Sequence, residues 1–213
     1  MRIKIENNEA VSPVVGVMLM LVVTIIIAAV VSSFAGGLAS EQKKAPTITV
    51  DVRLYANYDW SDQGNMNKNP PEIWFEHIGG GESVPTSELM IITYYVVPST
   101  GGEVFKHTVD GSLDPTNDVN NDNPGNIGNP WLNDMSKGSM GTWGTKFGQF
   151  VWSSGDVMEA RGYTQMESVL GIDLDPPDEG GDQYEFGKGS VVEVKILHKP
   201  SGQYIYQNKV IAI

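Results

Sequence analysis

The chain has 213 residues, 14 Lys and Arg against 26 Asp and Glu, and a formal charge of −12. So acidic a surface excludes sequence-independent nucleic-acid binding, which draws its affinity from Lys and Arg against phosphate. The absence of cysteine excludes disulfide staples, thiol catalysis and Cys-ligated metal, while 24 Gly and 12 Pro imply many turns, as all-β domains show.

The first element is apolar. Ala10 to Ser40 carries no charge, and within it Val14 to Val31 departs from aliphatic, Met and Ala residues only at Gly16 and Thr24. That run meets the length rule for a bilayer-spanning helix and exceeds the core of an ordinary secretory signal. Ser12 is placed to cap the first free amides, and Pro13 fits the first helical position, where its missing N–H costs nothing. Lys43 and Lys44 suit the negative end of the macrodipole, and Pro46 disfavours helical geometry at Ala45. A helix from Pro13 to Lys44 would measure roughly 48 Å, longer than a ~30 Å hydrocarbon core. At spacing four, Gly16, Met20, Thr24, Ala28, Ser32 and Gly36 are expected to line one face, five of them small. Small residues at that spacing let helices approach closely where no water drives association. The plainer alternative is a lone anchor that happens to contain Ala and Ser.

After Pro46 the pattern changes to period two. Ile48, Val50, Val52 and Leu54 alternate with Thr49, Asp51, Arg53 and Tyr55, a strand with one wet face. Further strands are expected at Glu72–Ile78, Glu88–Val97, Glu103–Val109, Gln149–Trp152, Ser190–His198 and Gln203–Ile213, the last two joined through Lys199-Pro200-Ser201-Gly202 as a hairpin. The fold class is therefore α+β: a long hydrophobic helix at residues 11–45, then an all-β, immunoglobulin-like sandwich at 46–213. Within the sandwich lies an Asn-, Gly- and Asp-rich insert from Asp110 to Gln149, whose Trp131, Trp143 and Phe147 are expected to tether it to the domain rather than stand exposed.

Chemistry finds little purchase. Asp118, Asn120 and Asp122 occupy the first, third and fifth places of a calcium-type loop, but Asn123 replaces its glycine and Asn129 its bidentate Glu, so a solvated acidic loop is the expectation. His77, His107 and His198 fall on separate strands without a catalytic spacing, and His77 reads as a turn-packing residue. No catalytic residue and no cofactor is expected.

The start of the chain carries a more specific signal. MRIKIENNEA is short, polar and of net zero charge, and Val11-Ser12-Pro13-Val14-Val15-Gly16-Val17-Met18-Leu19-Met20 follows. This resembles the N-terminal region of euryarchaeal type IV pilins, a charged leader before a V-S-P-V-[IV]-G-V-[IM]-L-M stretch. Fainter landmarks are Ile73-Trp74-Phe75-Glu76-His77-Ile78-Gly79-Gly80-Gly81-Glu82, similar to a strand ending in H-x-G-G-D with one extra glycine and Glu82 for Asp, then Trp152-Ser153-Ser154-Gly155-Asp156, and Gly187 to Gly202. Bacterial type IV pilins carry a glutamate at mature position five, where this chain has Val15, and the G-I-G-T start of archaellins is missing. The resemblance implies a class III signal peptide, residues 1–10, removed by a prepilin peptidase between Ala10 and Val11, or alternatively after Glu9. It also implies membrane insertion, then extraction by an assembly ATPase and membrane platform protein, and polymerisation through the helix with other copies into an extracellular surface filament for adhesion or cell–cell contact. The implied packing positions are Ser12, Pro13, Gly16, Thr24, Ala28, Ser32 and Gly36. A membrane-anchored binding domain that never polymerises is the alternative, and an ordinary signal cut after Ala35 or Ala39 is the rival for processing.

Intact-mass analysis of the native protein should show loss of Met1–Ala10 with the apolar helix retained. A mature protein beginning after Ala35 or Ala39 would replace this account with simple secretion.

Overall fold

The computed structural model describes residues 13–38, 43–56, 71–98, 102–112, 129–174 and 184–213. The expected leader, its cleavage residues Glu9, Ala10 and Val11, the cap Ser12, and the calcium candidates Asp118, Asn120 and Asp122 lie outside these. The chain divides into two units, Met1–Lys43 and Lys44–Ile213.

Helix α1 spans Pro13–Leu38, 26 residues, with proline at its first position. It does not extend to Lys44, because Lys43 and Lys44 already have non-helical backbone. Two glycines, Gly36 and Gly37, weaken the end of the expected span at ~1 kcal/mol each relative to alanine, and Pro46 disfavours helix just beyond it. The dipole pairing expected of the two lysines therefore has no last turn beside it.

The second unit is built from strands β1 (Thr49–Tyr55), β2 (Glu72–Gly79), β3 (Val84–Pro85), β4 (Leu89–Val96), β5 (Val104–Asp110), β6 (Trp131–Leu132), β7 (Val151–Trp152), β8 (Val157–Arg161), β9 (Val191–His198) and β10 (Gln203–Ile211), with one short helix, α2 (Tyr163–Leu170). They form two four-stranded antiparallel sheets, ordered β1-β2-β8-β6 and β10-β9-β4-β5, plus the small pair β3-β7. A mostly antiparallel β unit after a long apolar helix is the α+β class, and it is compatible with an immunoglobulin-like sandwich.

Alternation explains the layers. One face of each strand enters a common core: Val52 and Leu54 from β1, Ile73 and Phe75 from β2, Leu89, Ile91 and Tyr95 from β4, and Val192, Val194 and Ile196 from β9. Trp152, the largest fully buried side chain, joins them from β7. Two hydroxyls that turn inward are satisfied by distant carbonyls, as burial demands. Thr93 donates its hydroxyl to Val169 O at 2.8 Å, and Tyr95 donates to Tyr184 O at 2.7 Å. At one edge the C-terminus closes the sheets, with Ile213 N–H donating to Leu54 O and Ala56 N–H to Ile213 O.

All seven expected strands are present, some shortened; Gln149–Trp152 contracts to Val151–Trp152 because its only ladder partner is the two-residue β3. Strands β3, β6 and β8 and helix α2 were not expected. Helix α2 had a legible signal in Gly162 and Gly171 flanking Met166, Val169 and Leu170, which are its buried face. Gly171 ends it in the left-handed region at φ 69°, its N–H reaching Glu167 O, and a Cβ there would sit 2.6 Å from His107.

Part of the long insert is now placed. Phe147 is core, and Trp131 is half-buried on β6, its ring against Gly141, so both tether the segment. Trp143 does not; it is 76 % exposed.

A truncation beginning at Lys44 should be a soluble monomer with a β-dominated circular dichroism spectrum. Within it, Thr86 is fully buried, donating its hydroxyl to Phe150 O at 2.7 Å and accepting from Gly148 N–H at 2.9 Å. Thr86→Val keeps the shape but leaves the Gly148 amide without this acceptor, so urea unfolding should show a loss of ~1–3 kcal/mol.

Candidate functional site

Helix α1 is the element whose chemistry is least accommodated by its own chain. Its large apolar side chains from Val14 to Val31 are all exposed, from 43 % at Val23 to 72 % at Met20. Its polar side chains are Thr24, Ser32 and Ser33 alone, and no charge interrupts any face, so the helix has no wet side to present to water. Pro13–Ser33 is long and apolar enough to cross a membrane. Thr24 is compatible with that setting, since its hydroxyl donates to Leu21 O within the helix at 2.9 Å. Around Gly16 the position a Cβ would take is open.

The spacing-four residues need one correction. At 3.6 residues per turn, each step of four advances about 40° beyond a full turn, so Gly16, Thr24, Ala28, Ser32 and Gly36 wind round the helix as an inclined ridge rather than a straight face. No single straight neighbour meets the whole row.

The β unit brings together residues that the sequence left apart. The first two faint landmarks meet in space: His77 N–H donates to Asp156 O at 3.0 Å, Gly155 N–H to His77 O at 2.7 Å, and the His77 ring lies 5.4 Å from that of Trp152. Its Nε2 donates to Gly79 O at 2.9 Å, so His77 packs a turn, as its position on the strand end implies. Gly80, at φ 102°, lets the backbone of Thr47 pass where a Cβ would come within 2.2 Å of its carbonyl oxygen. Glu82 accepts the Thr47 N–H and pins the start of the unit.

At the β9–β10 turn the structure assembles Glu88, His198 and Ser201, which sequence spacing had not grouped. His198 Nδ1 meets Ser201 Oγ at 2.8 Å and its Nε2 faces Glu88 Oε2 at 3.4 Å. The order of groups is that of a hydrolytic relay, but Ser201 and His198 are both buried, and the same Ser201 hydroxyl lies 3.2 Å from His198 O and accepts from Gln203 N–H. It is occupied in closing the turn. Lys199 binds Asp110 beside it. Partial burial works to raise the Asp110 carboxyl, yet Lys199 and Ser112 together hold it below the usual carboxylate range. Among the described residues no group of three or more His, Asp or Glu converges as a metal site.

With that geometry in place, comparison with known proteins is specific to one region. Residues 9–50 match the family model for the archaeal type IV pilin N-terminal domain, a segment containing all of α1 and the first residues of β1. No curated protein and no solved structure matches the chain. The N-terminal segment is thus similar to a pilin's, and the β unit stands on its own description.

Glu159 is the buried acid that sequence gave no reason to notice. It lies on β8 between Trp74 and Trp131 in register, accepting from Asn133 Nδ2 at 3.0 Å. Burial pushes its carboxyl up, opposed by Asn133, with Glu72 adding to the rise. The neutral acid therefore favours the fold: the stabilisation is complete below the unfolded pKa and is lost as pH rises through the folded one. Glu159→Gln keeps an oxygen for Asn133 and no charge. It should raise the melting temperature at neutral pH, with the difference shrinking towards about pH 4 as the wild-type carboxyl protonates.

Proposed function

We propose that this chain is the structural subunit of an archaeal type IV pilus, polymerising through α1 and serving surface adhesion or cell–cell contact. The observation that carries this reading is a helix apolar on every side and exposed along its length, in the segment similar to pilins. Such a helix must be buried in lipid or in protein. Lipid serves it after insertion and before assembly; other copies of α1 serve it in the filament core, with the acidic β unit facing solvent. A prepilin peptidase acting between Ala10 and Val11 frees the subunit, and an assembly ATPase with its membrane platform protein extracts it. The subunit is a structural protein in this reading, not an enzyme.

The test rests on Ala28, a small residue on the inclined ridge. Replacing it by Phe overpacks a close helix contact at a cost of ~1–3 kcal/mol, repeated at every subunit. Lipid tolerates the same side chain, because Phe is at home in the bilayer. Ala28→Phe should therefore leave membrane content of the processed subunit unchanged while filaments sheared from cells are lost. Unchanged filament yield would remove α1 from the core. Wild-type cells whose filaments lack this chain would favour the membrane-anchored binding domain instead.

A further inference from the structure

Two buried donors in the β unit have nothing to bind. The indole N–H groups of Trp74 and Trp131 are both out of contact with solvent and meet no acceptor among the described residues. An indole can only donate, so each such group calls for a physical reason. Both belong to one cross-strand row of the β1-β2-β8-β6 sheet. Trp74 on β2 stands directly opposite Glu159 on β8, and Glu159 stands directly opposite Trp131 on β6. Residues paired in this way share a face and have Cβ atoms ~5 Å apart, within reach of each other's side chains. One carboxyl group therefore lies between the two orphan donors.

That carboxyl belongs to a residue only 4 % exposed, and one donor reaches it, Asn133 Nδ2 at 3.0 Å from Oε2. The charges around it are engaged elsewhere. On its own strand Arg161 pairs with Glu72 of β2 at 3.6 Å, and Arg53 of β1, opposite Trp74, pairs with Asp51 and Glu76. In the insert Lys137 pairs with Asp134 and Asp156, and Lys146 bridges to the far side of Trp131. Glu159 takes part in no ion pair among the described residues. A buried carboxyl with one neutral donor and no cation keeps its proton, and burial with Glu72 nearby raises its hold on it. A carboxylate in the same place needs further donors, and the two indoles can supply them.

We propose that Glu159 is a pH switch: when it gives its proton to solvent within the folded unit, it draws in the indole N–H groups of Trp74 and Trp131, and the shift of Trp131 passes to the loop that carries Trp143. Transmission runs through a close contact. Gly141, at φ 76°, lies so near the Trp131 ring that a Cβ there would stand 3.1–3.3 Å from the ring atoms. The ring cannot turn without moving that backbone, and Trp143, two residues on, is 76 % exposed. Strand β6 can respond because it is a two-residue strand at the edge of its sheet, laddered to β8 alone. The protonated form prevails at acid pH, and the indole-bound form appears as pH rises through a midpoint above the usual carboxylate range. This device is independent of the filament reading.

The test follows the indole N–H resonances of the full chain, carrying isotope-labelled tryptophan in detergent micelles, from about pH 4 to about pH 9. The Trp74 and Trp131 signals, assigned with Trp74→Phe and Trp131→Phe, should move downfield together with one midpoint, as new hydrogen bonds require. The Trp143 signal should move with them. Trp152, whose indole already donates to Asp156 O at 3.2 Å, should stay in place and reports that the fold persists. Glu159→Gln cannot ionise and should hold all of these signals still. Each Trp→Phe variant should lose one moving signal and keep the other, which preserves the test if Glu159→Gln fails to fold. Stationary Trp74 and Trp131 signals overturn the switch, and so does movement that survives in Glu159→Gln, which would assign it to Glu72 or Glu76. Movement of Trp152 at the same midpoint means that Glu159 ionises only by unfolding, and also overturns it. A stationary Trp143 beside moving Trp74 and Trp131 overturns the coupling to the loop.

Discussion

A 26-residue helix without a polar face cannot remain in water, and that constraint governs this molecule. At ~25 cal/mol per Å² of apolar surface, each exposed Val, Leu or Ile along it carries a penalty of roughly 1.5–3 kcal/mol until something covers it. The β unit differs in having a core, although Trp143, Met135 and Ile211 among others stay exposed on it. Its apolar side chains close on one another in a core that runs from Trp152 through Tyr95 and Ile196 to Leu54. The larger unit therefore buries most of its apolar residues within itself, whereas the helix requires an environment. Lipid and the apolar surfaces of other helices are the environments that fit.

The β unit is tied together at both of its ends. Its beginning is pinned where Glu82 accepts the Thr47 amide and Gly80 lets the backbone through. Its end is stitched back by Ile213 and Ala212 to β1. The β9–β10 turn is fixed by Ser201, His198 and Glu88, with Lys199 on Asp110. These polar groups are spent on closing turns.

Much of this was legible in the sequence, for physical reasons that differ by element. Period-two alternation fixed the long strands, since Val52 and Leu54 or Val192, Val194 and Ile196 leave only one face to bury. Pro13 marks the start of α1, and its end falls at Leu38, short of the lysine pair, where Gly36-Gly37 outweigh the charges that suit a helix terminus. Strands β3 and β6 were illegible, being two residues long and defined by their partners alone. Helix α2 was overlooked because eight residues offer barely two turns of periodicity, though its flanking glycines were there to be read. The meeting of His77 with the Trp152–Asp156 loop depends on register between distant strands, which no local pattern encodes.

The central claim is that α1 exchanges lipid for copies of itself. The most direct measurement is electron cryomicroscopy of surface filaments from cells producing this chain, compared with cells lacking it. The account predicts filaments only in the first, with a core of bundled apolar helices beginning at Val11 and the β unit on the outside. Filaments present in both and free of this chain, or a core built of β-strands, would contradict it.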